Sequence, residues 1–323
     1  MEKKQKLTIK KIDFENAEFY SSKFQNENFF TNPKNIKKFN LEINWWIVFK
    51  GEEAICLWPI YINDNKEVDK PLFSYYFGPI WSTTYKTLSN HSALAKKCEV
   101  YEMFINQFTE IYKNLFFQFD YTDLDIRFFL WSNENQKFKN KKFIISPKYT
   151  SVIFDLDKKD KDSILFEFRV LRKRMIKKFK ETKDFYQDTN FSLKEILDLY
   201  NDTITIKKNL VDKDARKFIS VFHNMCQSKE CKMIGYRNKN NNEIASVVMI
   251  ALEKDTANLI LNLSSHKYKK TGVSAFNMLE SIVDAKNLNC TKFDMNGANS
   301  QIGADDKQSY GATSKVYFQI EFK

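Results

Sequence analysis

Glycine, proline, cysteine and histidine are all scarce in this chain: its 323 residues hold 7 Gly, 5 Pro, 5 Cys and 3 His. So few glycines and prolines exclude collagen-like and proline-rich architectures, and no internal repeat of solenoid length is visible. The cysteines, Cys56, Cys98, Cys226, Cys231 and Cys290, are odd in number and form no CxxC pair. That pattern predicts reduced thiols rather than a disulfide framework, and no metal site is expected. Long hydrophobic runs are missing too. The strongest, at 43–49, is far too short to span a bilayer, and the opening Met-Glu-Lys-Lys-Gln-Lys leads into alternation rather than an apolar segment. The expectation is a cytoplasmic protein with no transmembrane segment. No Gly-x-Ser-x-Gly elbow and no Cys–His pairing marks a nucleophile.

What is abundant is aromatic and basic. Hydrophobic residues make up 43% of the chain, with 30 Phe and 15 Tyr, enough for substantial buried cores. The formal net charge is +11, which suits an anionic partner: a phosphate-bearing cofactor, nucleic acid or an acidic membrane surface.

Periodicity organises the chain into two halves. A strand–turn–strand hairpin is predicted over 43–63, and an extended aromatic segment over 73–81. An amphipathic helix is predicted over 93–116, where Leu94, Cys98, Tyr101, Ile105, Phe108, Tyr112 and Leu115 recur at three- and four-residue steps. Strands are read at 124–130, 143–145 and 151–156. The wholly charged run 157–162 is the expected domain boundary, giving domains 1–156 and 157–323. A second helix is read over 163–182, and shorter helical patterns at 193–200 and 212–226. Strands follow at 231–237, 243–252 and 257–264, then a helix at 273–286 and strands at 291–295 and 315–322. Antiparallel strands followed by a β-α-β crossover predict an α/β (α+β) fold, each half a mixed, mostly antiparallel sheet flanked by helices.

Two loops carry candidate chemistry. His266-Lys-Tyr-Lys-Lys-Thr-Gly-Val-Ser274 joins a strand to a helix N-terminus, where backbone N–H groups and the dipole favour phosphate. Within it Lys269, Lys270, Gly272 and Ser274 are the candidate donor-binding residues. The second, Phe293-Asp-Met-Asn-Gly-Ala-Asn-Ser300, continues through Lys307 to Tyr310-Gly311. It holds three of the seven glycines and sets Asp294, Asn296, Asn299, Lys307 and Tyr310 just beyond an apolar strand, a place suited to orienting a substrate. Gly297 stands fourth from Asp294 rather than sixth, which does not fit a calcium loop.

These stretches resemble known proteins. Lys269-x-x-Gly272-x-Ser274 is similar to the pyrophosphate loop of GNAT acetyltransferases, with Lys in place of Arg or Gln and Ser in place of Gly or Ala. Phe293-Asp294-x-x-Gly297 followed by Asp306-Lys307-x-x-Tyr310-Gly311 resembles the C-terminal end of Fem-type N-acyltransferases, with Asp306 where Phe is usual. The wording is most similar to members encoded with cell-surface polysaccharide genes. The basic stretch 171–178 and the Gly78-Pro79 strand resemble further parts of that family. The resemblance implies two GNAT-like domains and direct attack by an amine on a thioester or ester carbonyl. It implies Asp294 as base, with His266 second, and no tightly bound cofactor. The donor would be acyl-CoA, an acyl carrier protein thioester or aminoacyl-tRNA, the last as in peptidoglycan-bridge ligases. The acceptor would be an amine, such as an amino sugar of a surface glycan.

The basic helix makes its own prediction. Leu165, Phe168, Leu171, Met175, Ile176 and Phe179 fall on one stripe at 100° per residue, and Arg172 projects into it. A guanidinium there needs a paired carboxylate, or else it faces the cleft and binds the acceptor. A rival of another class is a non-catalytic RNA-binding protein, which aromatics mixed with lysines would suit. Against it, the lysines are spread along the whole chain and no RNA-recognition motif is present.

Overall fold

The computed structural model describes residues 6–72, 74–138, 141–205 and 213–323. The side chain of His91 and positions 73, 139, 140 and 212, on which the sequence reading touched, lie outside the described residues. The chain divides into two compact units, 1–148 with 316–323, and 149–315.

The first unit contains β1 (Leu7–Ile12), α1 (Phe14–Lys23), α2 (Pro33–Lys38), β2 (Ile43–Lys50), β3 (Glu53–Ile62), β4 (Val68–Asp69), β5 (Ile80–Trp81), α3 (Thr83–Lys86), α4 (Asn90–Ile111), β6 (Leu115–Gln118) and α5 (Arg127–Glu134). Strands β1-β2-β3-β4 run in that order, antiparallel, with β5 also paired to β3. The hairpin read from the sequence is β2–β3, turned at Gly51 with its φ of 60°. Trp58 sits at the centre of an aromatic core with Tyr101, Phe104, Phe108, Phe117 and Phe119.

Two readings in this unit fail. The helix predicted to 116 ends at Ile111. Its cap residue Tyr112 is already extended, and Leu115 belongs to β6. The strand predicted over 124–130 is mostly helix. Asp125 accepts from the Arg127 backbone N–H and pairs with the Arg127 guanidinium, which favours a helical start, and Phe128 and Phe129 supply the buried face of α5.

Strand β7 (Phe143–Ile153) carries the chain into the second unit. There follow α6 (Lys161–Glu167), α7 (Val170–Glu181), β8 (Phe185–Asp188), α8 (Leu193–Thr205), α9 (Lys213–Gln227), β9 (Cys231–Asn238), β10 (Ile244–Glu253), β11 (Thr256–Ser264), α10 (Val273–Asn287), β12 (Lys292–Asp294), α11 (Gln301–Gln308) and β13 (Thr313–Phe322). The end of β13 belongs to the first unit, where it pairs with β6. In the second unit the order is β7-β12-β11-β10-β9-β8. All pairs are antiparallel except β11–β12, which the crossover helix α10 makes parallel. Helix α10 buries Ala275, Met278, Leu279 and Ile282 against Val248, Ile250, Ala257 and Leu259 of the sheet.

The charged run 157–162, read as a boundary, lies inside the second unit. It forms a short 3-10 turn and the start of α6, whose N-cap Asp160 accepts from the Ser163 N–H at 2.7 Å. The single helix read over 163–182 is two helices. Phe168 and Arg169 are extended, Phe168 turns into the core against Tyr310, and the Arg169 N–H is held by the Ser309 carbonyl at 2.9 Å. The break rotates Leu171 out of the apolar stripe, leaving it exposed.

One buried ion network ties β8, β9 and α8 together. The Arg237 guanidinium donates to Asp188 at 2.6 Å, to Glu195 at 2.7 Å, and to the carbonyls of Asn190 and Asn242, and it lies over the Phe191 ring. Hydrogen bonding by Arg237 is the largest cause that lowers the Glu195 carboxyl to about 2 from its ordinary 4.5. A carboxyl depressed on folding stabilises the fold above its unfolded value and loses that contribution as pH falls through the folded one. Thermal stability measured from pH 5 down to about pH 2 should therefore fall progressively. Glu195→Gln should be less stable than the parent at neutral pH and show a shallower fall over that window. Parallel curves would show that this pair does not carry the acid sensitivity.

Candidate functional site

The polar residues of the second loop gather where the sheet forks. β11 and β12 pair through only three positions: Thr256, Ala257 and Asn258 against Lys292, Phe293 and Asp294. β11 then continues to Ser264, whereas the chain after β12 turns away. Asp294, the last residue of β12, is buried; one carboxylate oxygen accepts from Thr150 Oγ1 at 2.6 Å and from the Asn296 N–H at 2.7 Å. Asn296 adopts a left-handed conformation with φ of 57°, a region Asn tolerates better than most residues. Its side-chain amide donates to the Leu259 carbonyl at 2.7 Å. Its Oδ1 is buried and has no hydrogen-bond partner among the described residues.

A helix unforeseen in the sequence, α11, faces this turn. Ser300 caps it by accepting from the Gly303 N–H at 3.1 Å. From its last turn Lys307 reaches back, donating to the carbonyls of Asn296 and Gly297. Burial lowers the Lys307 ammonium to about 8 from 10.5, and the negative charges of Asp294 and Asp306 partly oppose that fall. Its half-buried position beside the buried Asp294 carboxylate moves the Lys307 ammonium toward neutrality. Sequence reading had assigned Lys307 only an orienting role, because a lone Lys in a polar loop carries no signal of burial.

Arg172 projects inward from α7, as its helical phase predicts. Its guanidinium pairs with Asp306, donates to Ser309 Oγ at 2.7 Å, and lies over the Tyr310 ring at 4.6 Å. Tyr310 is itself buried, and burial raises its hydroxyl. Arg172, Asp306, Ser309 and Tyr310 thus anchor the end of α11. Asn299 is exposed, and its side-chain carbonyl accepts from the Tyr149 N–H at 2.7 Å.

The first loop lies elsewhere on the same strand. From Asn258, opposite Asp294, to Ser264 is six residues, roughly 20 Å along β11. His266 follows that far end, its N–H directed at Asp202, so it shares no acid–base centre with Asp294. Residues 266–271 form a 3-10 turn. Lys269 and Lys270 are exposed there, and Ser274 lies half-buried in the first turn of α10. Gly272 has φ of 86°, and a Cβ on it would lie 2.1 Å from the Met175 carbonyl oxygen. The glycine lets α7 and the start of α10 touch, so its place in the sequence-read phosphate loop is also a packing position that a side chain would disturb.

The comparisons bear on this arrangement. Among solved structures, FemX aligns with a TM-score of 0.63 and 9% identity, over 96% of each chain. The fold is similar to that of FemX and, like it, to tandem GNAT proteins. A tandem GNAT protein from the clavulanic acid biosynthesis pathway aligns at a TM-score of 0.54 and 9% identity over 98% of each chain. L-PGS from Bacillus licheniformis aligns at 0.55 and 13%, over 96% of this chain and 92% of that one. At these identities the likeness is one of fold. No family model matches the sequence, and no curated protein matches it. At the fork, Asp294 and Asn296 are buried polar residues set among apolar neighbours.

Gly272→Ala tests the close contact of α7 and α10. A left-handed alanine costs about 1–2 kcal/mol and overpacking about 1–3 kcal/mol more. The variant should melt several degrees lower. An unchanged melting temperature would mean that α7 does not press on Gly272 in solution.

Proposed function

We propose that the protein is an N-acyltransferase that moves an acyl group from a thioester or ester donor to an amine, with the reacting carbonyl at the fork beside Lys307. The observation that carries this reading is Lys307 itself: a half-buried ammonium, shifted to about 8, fixed between two carbonyls and flanked by Asp294. An ammonium has three N–H donors. Two are used on Asn296 and Gly297, and the third is available to polarise the donor carbonyl and hold the developing oxyanion. The neutral amine nitrogen forms the new C–N bond, the C–S or C–O bond of the donor breaks, and the proton lost by the nitrogen passes through water to the leaving thiolate or alkoxide, which departs as thiol or alcohol. No covalent enzyme intermediate is required.

Asp294, expected as the base, is better suited to a second task. Its bound oxygen already serves Thr150 and the Asn296 N–H. Its charge raises the Lys307 pKa, opposing the fall that burial causes. Asn296 Oδ1, buried and unpartnered among the described residues, is the proposed acceptor of the incoming N–H. Arg172 and Tyr310 set the position of Lys307 through α11. Lys269 and Lys270 would meet donor phosphate, with Ser274 beside them. The span between that loop and the fork suits a donor whose phosphate and acyl ends lie far apart, as in acyl-CoA or a carrier-protein thioester. Aminoacyl-tRNA is the second donor reading, favoured by the +11 charge. The amine acceptor, with an amino sugar of a surface glycan as the first choice, rests on the wording of the loop.

Two variants test the scheme with acyl-CoA and amino-sugar panels. Lys307→Gln should lower kcat by about 10²–10³, the loss expected on removing one oxyanion donor. If Lys307 works as an ammonium, the rate falls as pH rises through about 8. Asp294→Asn keeps the hydrogen-bond acceptor but removes the charge that raises Lys307, so this limb moves to lower pH. Because the acceptor amine must itself lose a proton to attack, the profile is read against Lys307→Gln: a falling limb near 8 that is present in the parent and absent from the variant belongs to Lys307, and a parent without that limb overturns its assignment as polarising donor.

A further inference from the structure

We infer that the exposed face of α7, with the end of α6 and the tip of α11, is a docking surface for an anionic lipid bilayer. The inference is independent of the catalytic reading. Four large apolar side chains stand in solvent around the break between α6 and α7: Phe166 is 80% exposed, Val170 61%, Leu171 66% and Ile302 83%. Geometry brings them together. Lys173 donates to the Phe166 carbonyl at 2.6 Å and lies over its ring, and Arg169 pairs with Asp305, one helical turn from Ile302.

The cations are arranged around this apolar tip. At 100° per residue Val170, Leu171, Lys173, Arg174, Lys177 and Lys178 share one arc of α7, opposite the inward-facing Arg172, Ile176 and Phe179. None of those four cations forms a salt bridge among the described residues. Lys178 donates to the Lys270 carbonyl at 3.0 Å, which adds exposed Lys269 and Lys270 to the same field. Glu181 is the single acid on α7.

Clustered cations beside protruding apolar side chains match an anionic interface with acyl chains beneath it. Aliphatic side chains such as Val170, Leu171 and Ile302 gain by entering hydrocarbon. They offer nothing to stack on a base, so a bilayer is favoured over RNA. Among the described residues no helix is long and apolar enough to cross a membrane, so the attachment inferred is peripheral.

The test is flotation of the whole protein with phosphatidylglycerol vesicles and with phosphatidylcholine vesicles, at about 0.1 M and about 0.5 M salt. The parent should float with phosphatidylglycerol only, and part of that binding should survive the higher salt. The double variant Phe166→Ser, Leu171→Ser should partition about tenfold less while melting at the parent temperature, since both side chains are in solvent. Lys173→Glu with Lys177→Glu should abolish binding at low salt. The inference is overturned if the parent does not float with phosphatidylglycerol, or if the apolar double variant floats as well as the parent. Retention of RNA without vesicle binding would also overturn it, making the face a nucleic-acid surface.

Discussion

The second unit depends on how briefly β11 and β12 stay together. Three parallel residue pairs hold them, and then β12 ends. The Leu259 carbonyl, the first on β11 past the paired stretch, would lose its partner there. A buried carbonyl without a donor is costly, and the side-chain amide of Asn296 supplies one. To reach it the chain must double back after Met295, which the left-handed conformation of Asn296 and the Asp294 cap on its N–H make possible. Parting the strands and closing the turn are thus one arrangement, and it sets carboxylate, amide and ammonium in a single buried patch.

That patch needs support from outside the turn. The carbonyls of Asn296 and Gly297 point to Lys307, so the position of α11 decides whether the ammonium stays. α11 is short, and its sequence has little helix preference. Its far end is fixed by Arg172 through Asp306, Ser309 and the Tyr310 ring. Phe168 packs edge-on against the same ring. At the break between α6 and α7 Phe168 turns into the core, and Arg172, four residues on, meets the same Tyr310 ring. The break also leaves Val170 and Leu171 in solvent.

Much of this was legible in the sequence where one physical signal dominated. The β2–β3 hairpin and β9–β11 were read because period-two runs of branched and aromatic residues end at turn residues. Arg172 was read as inward because helical phase is fixed by spacing alone. Two of the misreadings share a cause: a local capping interaction outweighed periodicity. Asp125 turned an apolar segment into α5, and Ser300 started α11 in a stretch of Gly, Asp and Gln that reads as loop. The role of Gly272 was invisible because it depends on Met175, far away in sequence. The depressed Lys307 was equally hidden, since burial belongs to the folded chain and not to the motif.

The two candidate loops, read as one active site, occupy opposite ends of β11. Roughly 20 Å of strand separates the position facing Asp294 from Ser264. One small ligand cannot bridge that distance, and His266 cannot exchange a proton with the fork. An extended donor can, if its phosphates rest near Lys269 and Lys270 and its arm follows the unpaired edge of β11 beyond Leu259. The same stretch of β11 carries buried Asn262 Oδ1 and Ser264 Oγ, neither with a partner among the described residues. Buried polar atoms on an otherwise apolar strand are costly unless something meets them. An amide-bearing arm would meet them and a purely hydrocarbon chain would not, which is why the proposed reading places a thioester donor with such an arm ahead of aminoacyl-tRNA.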